Sequence, residues 1–343
     1  MGQLICFRKI SELPSNKFLF QINRYISKFL ESNSISNINN NDNSSNFDNI
    51  NGGKKEKLNS ENGKYKFIFY DISQKNTLII EKKLDIIKSI EGLSELNFKE
   101  SLYLCGNSTT EDNEGSFLFE INPFNPKTQI LVHSIYGHYY PSLITFENKY
   151  IFCIGGKNQI CCEAYNIEEK YWEPLPKLPE ERYVCTLSLD TKNNTIYLFG
   201  GINSRKQNID NNNKIYIEND YILRIKIEMY MNWEKIEIKN ENEKKLLKRV
   251  SAGSLVFDDQ EDYIYILGGE NEENKFLDDI IKFNINSSHL CKINQKLKFP
   301  TIFMNQYSKR SEKNSYIHVF IDKFNNIINI DKHDFVEWSF YKI

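Results

Sequence analysis

Histidines, cysteines and clustered carboxylates are the side chains through which this chain would do chemistry. The five histidines, His133, His138, His289, His318 and His333, form no H-E-x-x-H element and none of the close Cys/His spacings of a structural zinc site. Cys161 and Cys162 are adjacent, and successive strand residues point to opposite faces, so the pair reads as ordinary buried or half-buried thiols. No metal and no cofactor is expected. Carboxylates cluster at Asp258-Asp259 with Glu261-Asp262, at Glu270 with Glu272-Glu273, and at Asp278-Asp279. Two carboxylates divide acid and base roles only where a cleft separates their pKa values. These lie in or beside expected turns, so they read as solvated charge. Neither G-x-G-x-x-G between a strand and a helix nor G-x-x-x-x-G-K-[ST] occurs, and GGKNQ at 155–159 falls in a strand-to-strand turn. No catalytic residue is assigned, and a non-enzyme is expected.

The first residues suggest a different chemistry. The chain starts MGQLIC, which places Gly2 for N-myristoylation but puts Cys6 where that rule prefers a hydroxyl. One acyl chain binds a membrane only marginally, so a second lipid at Cys6 or the basic stretch would have to help. Against this stands an unmodified terminus that packs on the rest of the chain.

The elements that must position any site come next. At 343 residues, 40% apolar and 13% aromatic, the chain can bury a sizeable core. Its 44 basic and 46 acidic residues leave a net charge of -2, which supplies no attraction for a polyanion, so nucleic acid is excluded as a default partner. Seven cysteines without a C-x-x-C pair, and no apolar run long enough for a signal peptide or a membrane span, suggest a cytoplasmic protein.

Three segments differ in texture. Residues 1–30 are basic, with Arg8, Lys9, Lys17, Arg24 and Lys28 against Glu12. Phe18, Ile22, Tyr25, Ile26 and Phe29 recur at helical spacing, while KFLFQIN also reads as a strand. Residues 31–63 contain 11 Asn and few large apolar groups, the composition of a linker or long loop. Residues 64–343 consist of short apolar, β-branched and aromatic runs separated by turns, an all-β texture without alternating long helices.

Those runs repeat. IFCIGG at 151–156, IYLFGG at 196–201 and IYILGG at 264–269 each end a strand on two glycines, and LYLCGN at 102–107 is a weaker version. The second glycines are 45 and 68 residues apart, the longer gap carrying polar insertions. A strand precedes each run, another follows, and a fourth segment carries Trp172 or Trp233. A four-stranded unit with glycines at fixed offsets is the signature of a propeller.

The pattern resembles the kelch-repeat family of β-propellers over roughly residues 64–343. The resemblance rests on Gly155-Gly156, Gly200-Gly201 and Gly268-Gly269, on Tyr150, Tyr197 and Tyr265 in or before the strands, on Trp172 and Trp233, and on Arg182 and Arg249 ahead of the first strands. It implies that these are blade-forming residues, the glycines turning the strand and the tryptophans filling the wedge between blades. Units at 86–132, 140–175, 182–238, 249–294 and 300–341, plus two strands at 65–83, suggest six blades if the leader completes the first. Kelch proteins commonly bind other proteins, so the resemblance implies a scaffold or adaptor in a cytoskeletal or membrane-associated complex. The loops Asn107 to Gly115, Asn203 to Asn219 and Ile238 to Lys248 are candidates for the partner surface. LPSNKFLFQINRYISKFL faintly resembles an F-box opening, which would make the chain a substrate adaptor of a ubiquitin ligase. A propeller enzyme with an unrecognised site at the channel mouth is the remaining alternative.

Overall fold

Each repeat folds as one antiparallel sheet whose four strands pair in chain order. Blade 1 is built from Leu93–Phe98, Ser101–Gly106, Phe117–Ile121 and Thr128–Ile130, and blade 2 from Ser142–Phe146, Tyr150–Gly156, Gln159–Asn166 and Tyr171–Leu175. Blade 3 is built from Thr186–Asp190, Thr195–Phe199, Tyr221–Lys226 and Trp233–Glu237, and blade 4 from Gly253–Leu255, Tyr263–Leu267, Leu277–Asn284 and His289–Thr301. The first strands neighbour one another in succession. Phe303–Arg310 follows Gly253–Leu255 and also lies beside Leu93–Phe98, so the row returns on itself. The arrangement is a β-propeller.

The computed structural model describes most of residues 92–302 with their side chains; by backbone alone it describes short strands at 4–5, 18–19 and 21–22 and longer ones within 64–83 and 303–342. The expectation of six four-stranded blades is therefore corrected. Four blades are described with side chains, save the fourth strand of blade 1, Thr128–Ile130, which is described by its backbone. A fifth four-stranded sheet, Phe303–Arg310, Tyr316–Asp322, Asn326–Ile330 and Trp338–Lys342, is described by its backbone. The remaining sheet has three strands, because residues 64–83 supply two and the leader adds Phe18–Leu19, whose residues pair with Tyr70 and Asp71. At Phe18–Leu19 the helical reading of the leader gives way to a strand. An open sheet edge that can accept hydrogen bonds overrides a 3.6-residue apolar period. Residues 31–63 lie outside the described residues.

Strand position within a blade explains the residue pattern. Second strands are covered by neighbouring blades on both faces, so they read as unbroken apolar runs; all five residues of Thr195–Phe199 are buried. Fourth strands are the outer edge and are more exposed than the second strands, as in Trp233–Glu237, where Ile236 alone of the five is buried. First strands are the inner edge, and their backbone groups need other partners. Hydroxyls supply several of these bonds at one register position. Ser94 Oγ donates to the Pro141 carbonyl, Ser142 Oγ to Cys185 O at 3.3 Å and Thr186 Oγ1 to Ala252 O at 3.0 Å, each across to the next blade.

Apolar clusters fill the wedges between blades. Phe98, Tyr103, Cys105 and Leu118 of blade 1 meet Ile151, Cys153, Tyr165 and Trp172 of blade 2. Blade 2 meets blade 3 through Phe152, Ile154, Leu198 and Leu223, with Trp233 packed at the margin and its Nε1 donating to the Pro176 carbonyl at 3.0 Å. The segment from Ile238 to Lys248, read from sequence as a partner loop, instead contains a helix, Glu241–Leu247. Asn240 caps it, and its buried Leu247 joins the core between blades 3 and 4.

Candidate functional site

The glycine pairs join each blade to the next. The second glycine donates its N–H to a carbonyl where the chain passes to the following blade: Gly156 to Arg182 at 3.0 Å, Gly201 to Arg249 at 3.0 Å, and Gly269 to Thr301, the last residue of blade 4, at 2.9 Å. The first glycine lies against the same carbonyl. A Cβ on Gly155, Gly200 or Gly268 would stand 2.5, 2.2 or 2.7 Å from it, and all three have left-handed backbones, with φ of 61°, 62° and 56°.

The side chain at this entry position turns into its own blade, and it is where charge enters the core. In blades 2, 3 and 4 the residue four before the first strand is His138, Arg182 or Arg249, and all three are buried. Two residues further on, Tyr140, Val184 and Ser251 have φ of 55°, 55° and 51°. For a β-branched residue such as Val184 that backbone is strained.

Blade 2 holds a histidine–carboxylate pair with no solvent exposure. His138 Nδ1 is 2.6 Å from the Gly155 carbonyl, so it must be the donor, since a carbonyl only accepts. Nε2 is 2.7 Å from Glu163 Oε1. Glu163 also accepts the N–H groups of Ile135 at 2.8 Å and Tyr136 at 3.3 Å. Every group in this pair has a partner, and the pair ties the blade 2 entry to the third strand and to the Gly155 carbonyl.

Blade 4 holds the fully partnered arginine. Arg249 Nε donates to Leu246 O at 2.7 Å, and Nη1 donates to Gly268 O at 2.8 Å and to Asp279 Oδ1 at 2.9 Å. Lys292 Nζ approaches Asp279 Oδ2 at 3.2 Å. Burial alone would raise the Asp279 pKa, but Arg249 and Lys292 outweigh it and hold the carboxyl below its ordinary range.

Blade 3 differs. Arg182 Nη2 donates to Glu180 Oε1 at 2.5 Å, and its guanidinium carbon lies 5.0 Å from the centre of the Tyr221 ring. The Tyr221 hydroxyl also donates to Glu180, and burial followed by this bond raises the tyrosine pKa. Arg182 Nε and Nη1 have no acceptor among the described residues. The register shows why. Leu198 pairs with Leu223 and Ile266 with Ile281, both two residues ahead of a first glycine, so Tyr221 occupies in blade 3 the position of Asp279 in blade 4.

These placements correct the reading of two acidic clusters as solvated charge. Asp279 and Glu270 are buried, at 6% and 1% exposure, because both lie in strands that face the Arg249 entry or pair beside it. Glu272 and Glu273 remain nearer the surface, facing Lys248 and Lys275. Asp258, Asp259 and Glu261 lie outside the described residues, as do Gly2 and Cys6. Cys161 and Cys162 are both buried, and burial pushes the Cys162 thiol up to about 12. Among the described residues no group of three His, Cys, Asp or Glu is placed to hold a metal, and no helix is long and apolar enough to cross a membrane.

Among solved structures, that of YjhT matches this chain with a TM-score of 0.56 at 10% identity, covering 81% of this chain and 92% of the other. Identity that low shows the fold alone, and the fold is that of a β-propeller. No protein-family model matches the chain, and no curated protein matches it.

Proposed function

We propose that the chain is a kelch-type propeller that serves as a non-catalytic protein-binding scaffold. The glycine pairs, the entry arginines and the wedge tryptophans support the kelch reading. The observation that carries the binding reading is the turn between the third and fourth strands of blade 3. Its Met229 and Tyr230 are 87% and 82% exposed. The corresponding turns are polar, Glu168-Glu169-Lys170 in blade 2 and Asn286-Ser287-Ser288 in blade 4. Methionine adapts to varied apolar surfaces, and tyrosine supplies contact area with few rotors to freeze, which suits both to a protein interface. A blade clasped to both neighbours holds such a turn in place.

Quantitative affinity purification from native cells, wild type beside a Met229→Ser/Tyr230→Ser variant, tests this. The reading expects a defined set of proteins with the wild type and at least a several-fold loss of that set with the variant. Equal recovery, or turnover by the purified protein in an unbiased metabolite screen, overturns it.

A further inference from the structure

The second strands of neighbouring blades meet across the wedge at two repeated positions. One is the residue before the first glycine, Cys105 in blade 1, Ile154 in blade 2 and Phe199 in blade 3, each paired with the first-strand hydroxyl residue Ser94, Ser142 or Thr186. The other lies one residue earlier and is Cys153 in blade 2, Leu198 in blade 3 and Ile266 in blade 4. Where blade 2 meets blade 3, Ile154 and Leu198 share an apolar cluster, and where blade 3 meets blade 4, Phe199 and Ile266 share another. Where blade 1 meets blade 2 the same two positions carry thiols. Their Sγ atoms are 3.7 Å apart, and neither cysteine is exposed. Two thiols fill less of the wedge than the larger apolar pairs do, but two sulfurs in contact can form a bond that no aliphatic pair can. From this contrast we propose that Cys105 and Cys153 are a redox modification site, at which a small hydroperoxide drives formation of a disulfide that staples blade 1 to blade 2.

The step balances with hydrogen peroxide as the oxidant. One sulfur attacks a peroxide oxygen and breaks the O–O bond, so that a sulfenic acid forms and water leaves. The second sulfur then attacks the first and displaces its hydroxyl as another water. Two thiols and one peroxide give one disulfide and two waters, and the two electrons pass from sulfur to oxygen. A disulfide bond is about 2.05 Å long, so the sulfurs must come roughly 1.6 Å closer. Burial, followed by the neighbouring Cys105 thiol, raises the Cys153 pKa well above its ordinary value. Only the thiolate attacks, so oxidation is slow at neutral pH and quickens as pH rises. Full burial selects a small uncharged oxidant over a bulky anionic disulfide. The staple does not depend on the protein-binding reading, because Met229 and Tyr230 belong to blade 3.

The test incubates the full-length protein with hydrogen peroxide at about pH 7 and about pH 9, then alkylates it and maps its peptides by mass spectrometry without reduction. The proposal expects a peptide pair joined through Cys105 and Cys153, formed at least several-fold faster at the higher pH and opened again by dithiothreitol. The oxidised protein should also unfold at a higher denaturant midpoint than the reduced one, since the bond restricts the unfolded chain. Cys105→Ala and Cys153→Ala should each abolish the joined pair and the rise in midpoint. The mapping on the wild type decides the matter should both variants fold poorly. Any of four results overturns the proposal: no Cys105–Cys153 peptide pair from the folded wild type; a pair that appears only when the chain is oxidised in denaturant; an equal rate at the two pH values; or a midpoint that oxidation leaves unchanged or lowers.

Discussion

Blades 3 and 4 share a backbone clasp, a strained residue after the entry position and a buried arginine, yet Arg249 is held by a carboxylate from the third strand of its blade and Arg182 by Glu180, two residues before it in the chain. The carbonyls of Arg182 and Arg249 both accept the N–H of the preceding glycine pair at 3.0 Å. The third strand carries Asp279 at the position that Tyr221 fills in blade 3. The repeat therefore separates two roles that one residue combines. The main chain of the entry residue closes the propeller, and its side chain is free to diverge from blade to blade. In blade 2 the position is a histidine, and its carboxylate, Glu163, comes from two residues further along the third strand.

Removing the carboxylate from blade 4 should have the largest effect. Asp279→Ala leaves Arg249 charged and buried, a loss of about 3–5 kcal/mol by denaturant unfolding. A loss below about 1 kcal/mol would mean that the pair contributes little. Gly200→Val comes next. It strains a left-handed backbone and drives a side chain into the Arg249 carbonyl, so about 3 kcal/mol is expected, and an unchanged melting temperature would refute the clasp. Arg182→Met in blade 3 should cost clearly less than Asp279→Ala, since it removes the bond to the partly exposed Glu180 but also two buried donors without an acceptor among the described residues. A loss as large as that of Asp279→Ala would erase the contrast between the blades.

The smallest effect is one of pH. Asp279 has its pKa lowered on folding, so the pair contributes fully above the ordinary carboxylate value near 4 and is lost as pH falls through the lowered value. The stability gap between wild type and Asp279→Asn should be flat near neutrality and shrink below about pH 4. A gap that widens with acid would reverse the assigned direction.

The glycine pairs and the wedge tryptophans were legible in the sequence because each lies a short, constant distance from an apolar run. The partners of the entry residues were not. From the second glycine to the position of Asp279 is ten residues in blade 4, twenty to Tyr221 in blade 3, and five to Cys161 in blade 2. Loops of unequal length hide the register, and only strand pairing restores it. His138 escaped for a related reason, since a histidine where two other repeats carry arginine does not look like the same position. Phe18–Leu19 pairs with residues beyond the Asn-rich segment, and periodicity within one window cannot see so distant a sheet edge. The inner-strand hydroxyls did carry a signal in two blades, where Ser142 and Thr186 each stand four residues after the entry residues His138 and Arg182, while Gly253 takes that place in blade 4.

The most direct test of the divergence between blades is a pair of double-mutant cycles by denaturant unfolding, one for Arg249 and Asp279 and one for Arg182 and Tyr221. With Met at each arginine, Ala at Asp279 and Leu at Tyr221, the coupling should be about 2–3 kcal/mol in blade 4 and below about 1 kcal/mol in blade 3. Equal couplings, or a larger one in blade 3, would contradict the account.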